Sequence, residues 1–186
     1  MVTKNYHPKI RIFVLTKNDR MYKVRVILDT KEDVIRTLLV NEKASLENLH
    51  FDIAKAFGFN GQEMASFYRT DEDWNQGEEI PLFNMSEAGE GISMATCILH
   101  EALPNQHDKL IYVYDFLQMW TFYVEVIEQS NEEVTETKMI LSVGEIPDQA
   151  PEKEFKAEDL SKNIDDEIDD EFNNFESLDD FDFDNY

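Results

Sequence analysis

Apolar residues recur at two different periods along this chain, and each period predicts a type of element. Lys9–Leu15 and Met21–Leu28 are rich in Ile, Val, Phe and Tyr, with the polar stretch Lys17-Asn18-Asp19-Arg20 between them. Two β-rich runs around a short polar turn predict a hairpin. In the second run Tyr22, Val24, Val26 and Leu28 point one way and Lys23 and Arg25 the other, the period-two signature of a half-buried strand. Val34–Val40 fits strand or helix by periodicity, and its β-branched content favours a strand. The period then changes. Leu46, Leu49, His50, Ile53 and Phe57 follow at helical spacing behind Ser45, a suitable N-cap. Gly58 is placed to end the helix in the left-handed conformation. Glu47, Asn48, Asp52 and Lys55 occupy the opposite face.

Asn60-Gly61 reads as a turn and Met64–Arg69 as a strand. Thr70–Glu79 reads as a loop in which Trp74 is either part of a contact surface or folded back onto the core, the second favoured because an indole is costly to leave in water. Met85–Ser93 reads as a second loop, and Thr96–Leu103 as a short helix ended by Pro104. Leu110–Tyr114 and Trp120–Glu128 are strands joined by a turn that holds Asp115. The acidic stretch Gln129–Glu136 is turn-like, and Thr137–Val143 is a last strand. The expected fold is α+β: a mainly antiparallel sheet of about five to seven strands with one principal helix, 45–57, packed on a face. This body spans residues 1–151. Residues 152–186 differ in kind. There Phe155, Leu160, Ile164, Ile168, Phe172 and Phe175 recur mostly every four residues among carboxylates, and Ser177–Tyr186 alternates acids with aromatics. They are expected to form a flexible acidic tail, disordered or partly helical.

Composition sharpens this division. In 186 residues, 42% are hydrophobic and 12% aromatic, enough for a sizeable core. The net charge is −23 and is unevenly spread. Residues 71–151 hold 2 basic against 17 acidic side chains, and residues 152–186 hold 3 against 15. Such a balance disfavours phosphate-backbone binding, which needs clustered Lys and Arg, and equally an anionic membrane surface. A protein partner, basic if the charge is used, fits better. Cys97 is the only cysteine, so no internal disulfide forms. The first apolar run is too short for a secretory signal, and Leu110–Ile127 is broken by Asp115, Gln118 and Glu125. The expected compartment is the cytoplasm.

Catalytic and metal motifs fail individually. His100-Glu101 starts a zinc-protease pattern, but the second His is missing and Pro104 intervenes. Gly89-Glu90-Gly91 starts a dinucleotide pattern that Met94 ends. The acid run Asp165–Glu171 lacks the glycine that an EF-hand turn needs. His7, His50, His100 and His107 are scattered, so no metal set and no cofactor site is expected. His50, beside the apolar face of the helix, reads as a core-edge histidine with one hydrogen-bonded nitrogen. Asp115, after an aromatic strand, reads as a carboxylate binding backbone N–H groups in a tight turn. Burial without such donors would raise its pKa. No nucleophilic triad can be assembled.

Leu49-His50, Gly58-Phe59, Phe67, Tyr114-Asp115-Phe116 and Trp120 together resemble the family named for the third open reading frame of plasmid pRiA4b, whose members are often found near mobile elements. The resemblance spans roughly residues 8–147 and leaves out the acidic tail. It implies an α+β domain with no settled activity. This chain departs from the family pattern at Leu117-Gln118, where Gly-Asp is usual. Phe122 replaces a family His, and a second His is replaced near Glu63–Met64. The resemblance therefore implies that any family metal or active site is not intact here.

Three functions follow as expectations. The first is a non-enzymatic interaction or adaptor protein whose tail docks through Phe172, Phe175, Phe181, Phe183 and Tyr186. The second is an enzyme or small-molecule binder with a pocket or turn formed by His50, Tyr114, Asp115 and Trp120. The third is nucleic-acid recognition through Lys9, Arg11, Lys23 and Arg25, with the tail as an internal mimic.

Overall fold

Strand β1 (Met21–Leu28) turns Tyr22, Val24, Val26 and Leu28 into the core, as its period-two pattern requires. The computed structural model describes residues 20–84, 91–130, 132, 134 and 136–151. β2 (Val34–Asn41) follows, then helix α1 (Leu46–Ala56), β3 (Ala65–Thr70) and β4 (Gln76–Pro81). Helix α2 (Leu99–Ala102), β5 (Lys109–Tyr114), β6 (Trp120–Ser130) and β7 (Lys138–Val143) complete the order. The strands form one seven-stranded sheet in the order β4-β3-β5-β6-β1-β2-β7. All six pairings are antiparallel.

The expected α+β architecture with a principal helix on one face needs correction. Among the described residues the helices have 11 and 4 residues, against seven strands. Eleven residues rise about 16 Å, whereas seven strands set about 4.8 Å apart make a sheet about 29 Å wide. α1 therefore serves only part of the core, through Leu46, Leu49 and Ile53. Met94, Cys97 and Leu103, from segments without long helix, add to that apolar cover. The sheet is the framework, and α1 is a minor element.

The local signals read from the sequence act as anticipated in α1. The Ser45 hydroxyl accepts the Asn48 N–H, and Gly58 takes φ +72° just past the helix end. Three other expectations fail for identifiable reasons. β1 is paired along its length to β2 on one side and β6 on the other, so Lys9–Leu15 is not its hairpin partner. That run lies outside the described residues. Part of the expected loop Thr70–Glu79 is strand: Thr70 pairs with Gln76 and Tyr68 with Glu79, through backbone bonds that leave no apolar pattern to read. α2 is shorter than Thr96–Leu103 because Ile98 is extended and bridges Ser45.

Gly144 ends β7 at φ +71°, and a side-chain carbon there would run into the carbonyl of Asp33. That obstacle is backbone, so it yields little. Gly144→Ala is expected to lower stability by about 2 kcal/mol in chemical denaturation and to loosen β7 first. A change below about 0.5 kcal/mol would show that the chain turns there at no cost.

Candidate functional site

β5 and β6 bring Tyr114 opposite Trp120, and the chain leaving α1 lays Phe59 against both. The Phe59 ring centroid is 5.1 Å from each of the two partners. His50 reaches the same cluster from α1, with its ring 5.9 Å from Tyr112 and 6.1 Å from Tyr114. His50, Tyr114 and Trp120 thus share an aromatic cluster, and all three are buried.

His50 is engaged at both nitrogens. Nδ1 lies 2.7 Å from the Tyr112 hydroxyl and Nε2 lies 3.3 Å from the Gly61 carbonyl oxygen. A carbonyl only accepts, so Nε2 carries the proton and Nδ1 accepts from the tyrosine. This is the neutral tautomer. Burial pushes the His50 pKa down to about 4, against the opposing pull of the Gly61 carbonyl. Burial also holds the Tyr112 phenol well above its ordinary value, so it remains a donor. The sequence foresaw one bonded nitrogen at the core edge, and the structure has two in the interior.

Asp115 stands apart from this histidine. It opens the β5–β6 turn at φ 57°, and its own N–H donates to the Met64 carbonyl. One carboxylate oxygen accepts the N–H groups of Leu117 and Gln118, at 3.0 and 3.4 Å. The carboxylate therefore bonds its own turn, while His50 bonds Tyr112 and Gly61. Tyr114 directs its hydroxyl to Asn60 at 2.8 Å. An aromatic cluster and a capped turn lie side by side, with no acid–base pair between them.

That turn has a second property. Leu117 is 96% exposed, and Phe116, Met119 and the adjoining Met64 are exposed as well. These are large apolar side chains on a tight turn, where solvent ordinarily selects polar ones. The sequence signal was present in Leu117-Gln118, which stands where Gly-Asp is usual in the resembling family.

A cleft of about 330 Å³ lies elsewhere, between Arg69–Glu72 and Pro104–Leu110. No sequence motif pointed to it. Its basic groups are already engaged: Arg69 pairs with Glu78, His107 with Glu125, and Lys109 donates to the Glu72 carbonyl. Lys109 also lies over Trp74, which packs on Tyr123. Trp74 thus packs on the sheet face away from the core, not in the core as expected. Of the four basic residues read as a nucleic-acid face, Lys23 pairs with Glu128 and Arg25 with Glu125. Lys9 and Arg11 lie outside the described residues, as do Phe172, Phe175, Phe181, Phe183 and Tyr186. Among the described residues no group of His, Cys, Asp and Glu side chains is placed to hold a metal, and no helix is long and apolar enough to cross a membrane.

Comparison with known proteins adds a family and a fold. The family of plasmid pRiA4b ORF-3-like proteins matches residues 20–186. The match begins at β1, later than the resemblance read from the sequence, and runs on through the acidic segment that the resemblance left out. Among solved structures, a protein of unknown function from Methanosarcina mazei Go1 is similar in fold. The TM-score is 0.54 at 16% identity, over 68% of this chain and 72% of that one. No curated protein matches the chain.

Proposed function

This chain belongs to the plasmid pRiA4b ORF-3-like family, and on that premise we propose that it is a protein-interaction module rather than a catalyst. The observation that carries this reading is the β5–β6 turn, where Leu117 is 96% exposed beside Phe116 and Met119. Asp115 fixes the turn by accepting two of its amides, so the apolar knob is presented in one conformation. Preorganisation lowers the entropy lost on binding. The partner that fits is a protein with an apolar pocket and a basic rim. The net charge of −23 would speed its encounter, and the knob would set residence time. In this reading the acidic segment 152–186 is a second contact, with Phe172, Phe175, Phe181, Phe183 and Tyr186 as anchors among carboxylates.

Selection of random peptides on the full chain tests the reading. It is expected to enrich peptides that combine basic and apolar residues and that bind Leu117→Asp at least tenfold more weakly, about 1.4 kcal/mol. Leu117 is so exposed that the substitution should change stability by no more than about 0.5 kcal/mol. Peptides that bind both proteins equally, or no enrichment, would overturn the assignment of the turn.

A further inference from the structure

The two edges of the sheet are not alike. β4, at one edge, carries Glu78 and Glu79 and ends in Pro81. Charges and proline are the usual protection of an open edge. β7, at the other edge, reads Lys-Met-Ile-Leu-Ser-Val. Met139, Ile140, Leu141 and Val143 are each between 41 and 48% exposed. These apolar side chains lie on both faces: Met139 is opposite Leu38, while Leu141 and Val143 are opposite Thr37 and Ile35. Such an edge invites another strand.

We infer that residues 9–15, Lys-Ile-Arg-Ile-Phe-Val-Leu, pair antiparallel with β7 as an eighth strand of the sheet. Chain reach selects this edge. From Leu15 to Met21 there are six Cα–Cα steps, which extend at most about 20 Å. A position outside β7 is three strand spacings from β1, about 14 Å, whereas one outside β4 is five spacings away, about 24 Å. The chain also enters β1 on the correct side. Arg20 accepts the Glu42 N–H at its carbonyl and places Nε 2.9 Å from the Glu42 carboxylate, just past the end of β2.

Direction agrees as well. Leu15 must lie near the end of the sheet that holds Met21. β7 starts at that end, because Lys138 is opposite Leu39, which is opposite Lys23. A strand running toward that end is antiparallel to β7, like every other pair in the sheet. Seven residues match the six of β7 in length. Ile10, Ile12 and Val14 alternate with Lys9, Arg11, Phe13 and Leu15, so an apolar row can cover either exposed face.

Amide hydrogen exchange on the full chain tests the pairing. In β7, alternate amides face β2 and the others face outward. The outward amides are expected to exchange about tenfold more slowly, or slower still, than in full-length Ile12→Pro/Val14→Pro, whose prolines remove strand donors. A peptide of residues 8–16 added to that variant should restore the protection. Outward amides that are fast in the native chain, or unchanged in the variant, would overturn the inference. Protection that rises with protein concentration would also overturn it, by making a second copy the occupant. The Leu117 turn is not involved in any of these outcomes.

Discussion

Replacing Arg36 by Met is expected to cost about 3 kcal/mol of folding stability and to free β7 from the end of α1. Arg36 is only 6% exposed, yet it sits on the core side of β2 beside Val34 and Leu38. Its hydrogen bonds among the described residues all end on carbonyl oxygens. Nη1 donates to Ile35 at 2.9 Å and to Val143 at 2.6 Å, Nη2 to Gly144 at 3.3 Å, and Nε to Ala56 at 3.3 Å. The guanidinium also lies 5.1 Å from the Phe57 ring centroid. One planar fork thus joins the last turn of α1 to the end of β7, where the helix dipole favours a cation. Burial pulls its pKa below the ordinary arginine value, but a guanidinium starts so high that it stays charged. Met keeps most of the apolar stem and leaves four carbonyls without their donor. Arg36→Lys should recover less than half of the loss, since an ammonium cannot reach α1 and β7 together. Denaturant unfolding measures the cost, and exchange at Ser142–Gly144 reports the release. A loss below about 1 kcal/mol would show that water replaces the arginine without penalty.

Acid is expected to remove about 3 kcal/mol of stability through His50 alone between pH 6.5 and pH 4. The folded pKa is about 4 and the ordinary value 6.5. Over that interval the unfolded chain binds the proton and the folded chain does not. The contribution is therefore fully present above pH 6.5 and is lost as pH falls toward 4. Protonation would give Nδ1 a hydrogen facing the Tyr112 hydroxyl, which now donates to it, and would place a charge among aromatic rings. Other groups titrate nearby. Glu125, whose burial is outweighed by hydrogen bonds from His107 and Arg25, is held below its ordinary value. The comparison is therefore between the native chain and His50→Gln, which cannot titrate. The stability difference between the two proteins should narrow by about 3 kcal/mol as pH falls from 6.5 to 4. Parallel stability curves would mean that His50 is already solvated or charged in the folded chain.

Much of this was legible in local pattern. The bounds of β1, the β5–β6 turn with Asp115, the Ser45 cap and the Gly58 stop all follow from residues within a few positions of one another. Asp115 was read as a carboxylate bound to backbone amides, and its two acceptor bonds are of that kind. Other features depended on partners far along the chain. β4 has polar, exposed residues and exists because β3 offers it backbone groups. The role of Arg36 was not legible in an apolar strand, since three of the carbonyls it serves lie 20 and more than 100 residues away. The depth of His50 required both Tyr112 and Gly61 to arrive from other elements.

Apart from β4, the sequence alone determined which of the described segments are strands, where the main helix starts and stops, and that 152–186 differs in composition from the rest. Those are properties of side-chain alternation, capping and charge, and each is encoded within a few residues. Tertiary structure decided strand order, and with it which apolar strand lies at the edge of the seven described strands. Thr137–Val143 is as apolar as a core strand, yet it lies at an edge because β1 has only two sides and β2 and β6 take both. It also reduced α1 to a minor element, because a sheet of seven strands is wider than an eleven-residue helix can cover. Hydrophobic pattern specifies what each segment tends to bury, and the competition for backbone partners settles which segments succeed.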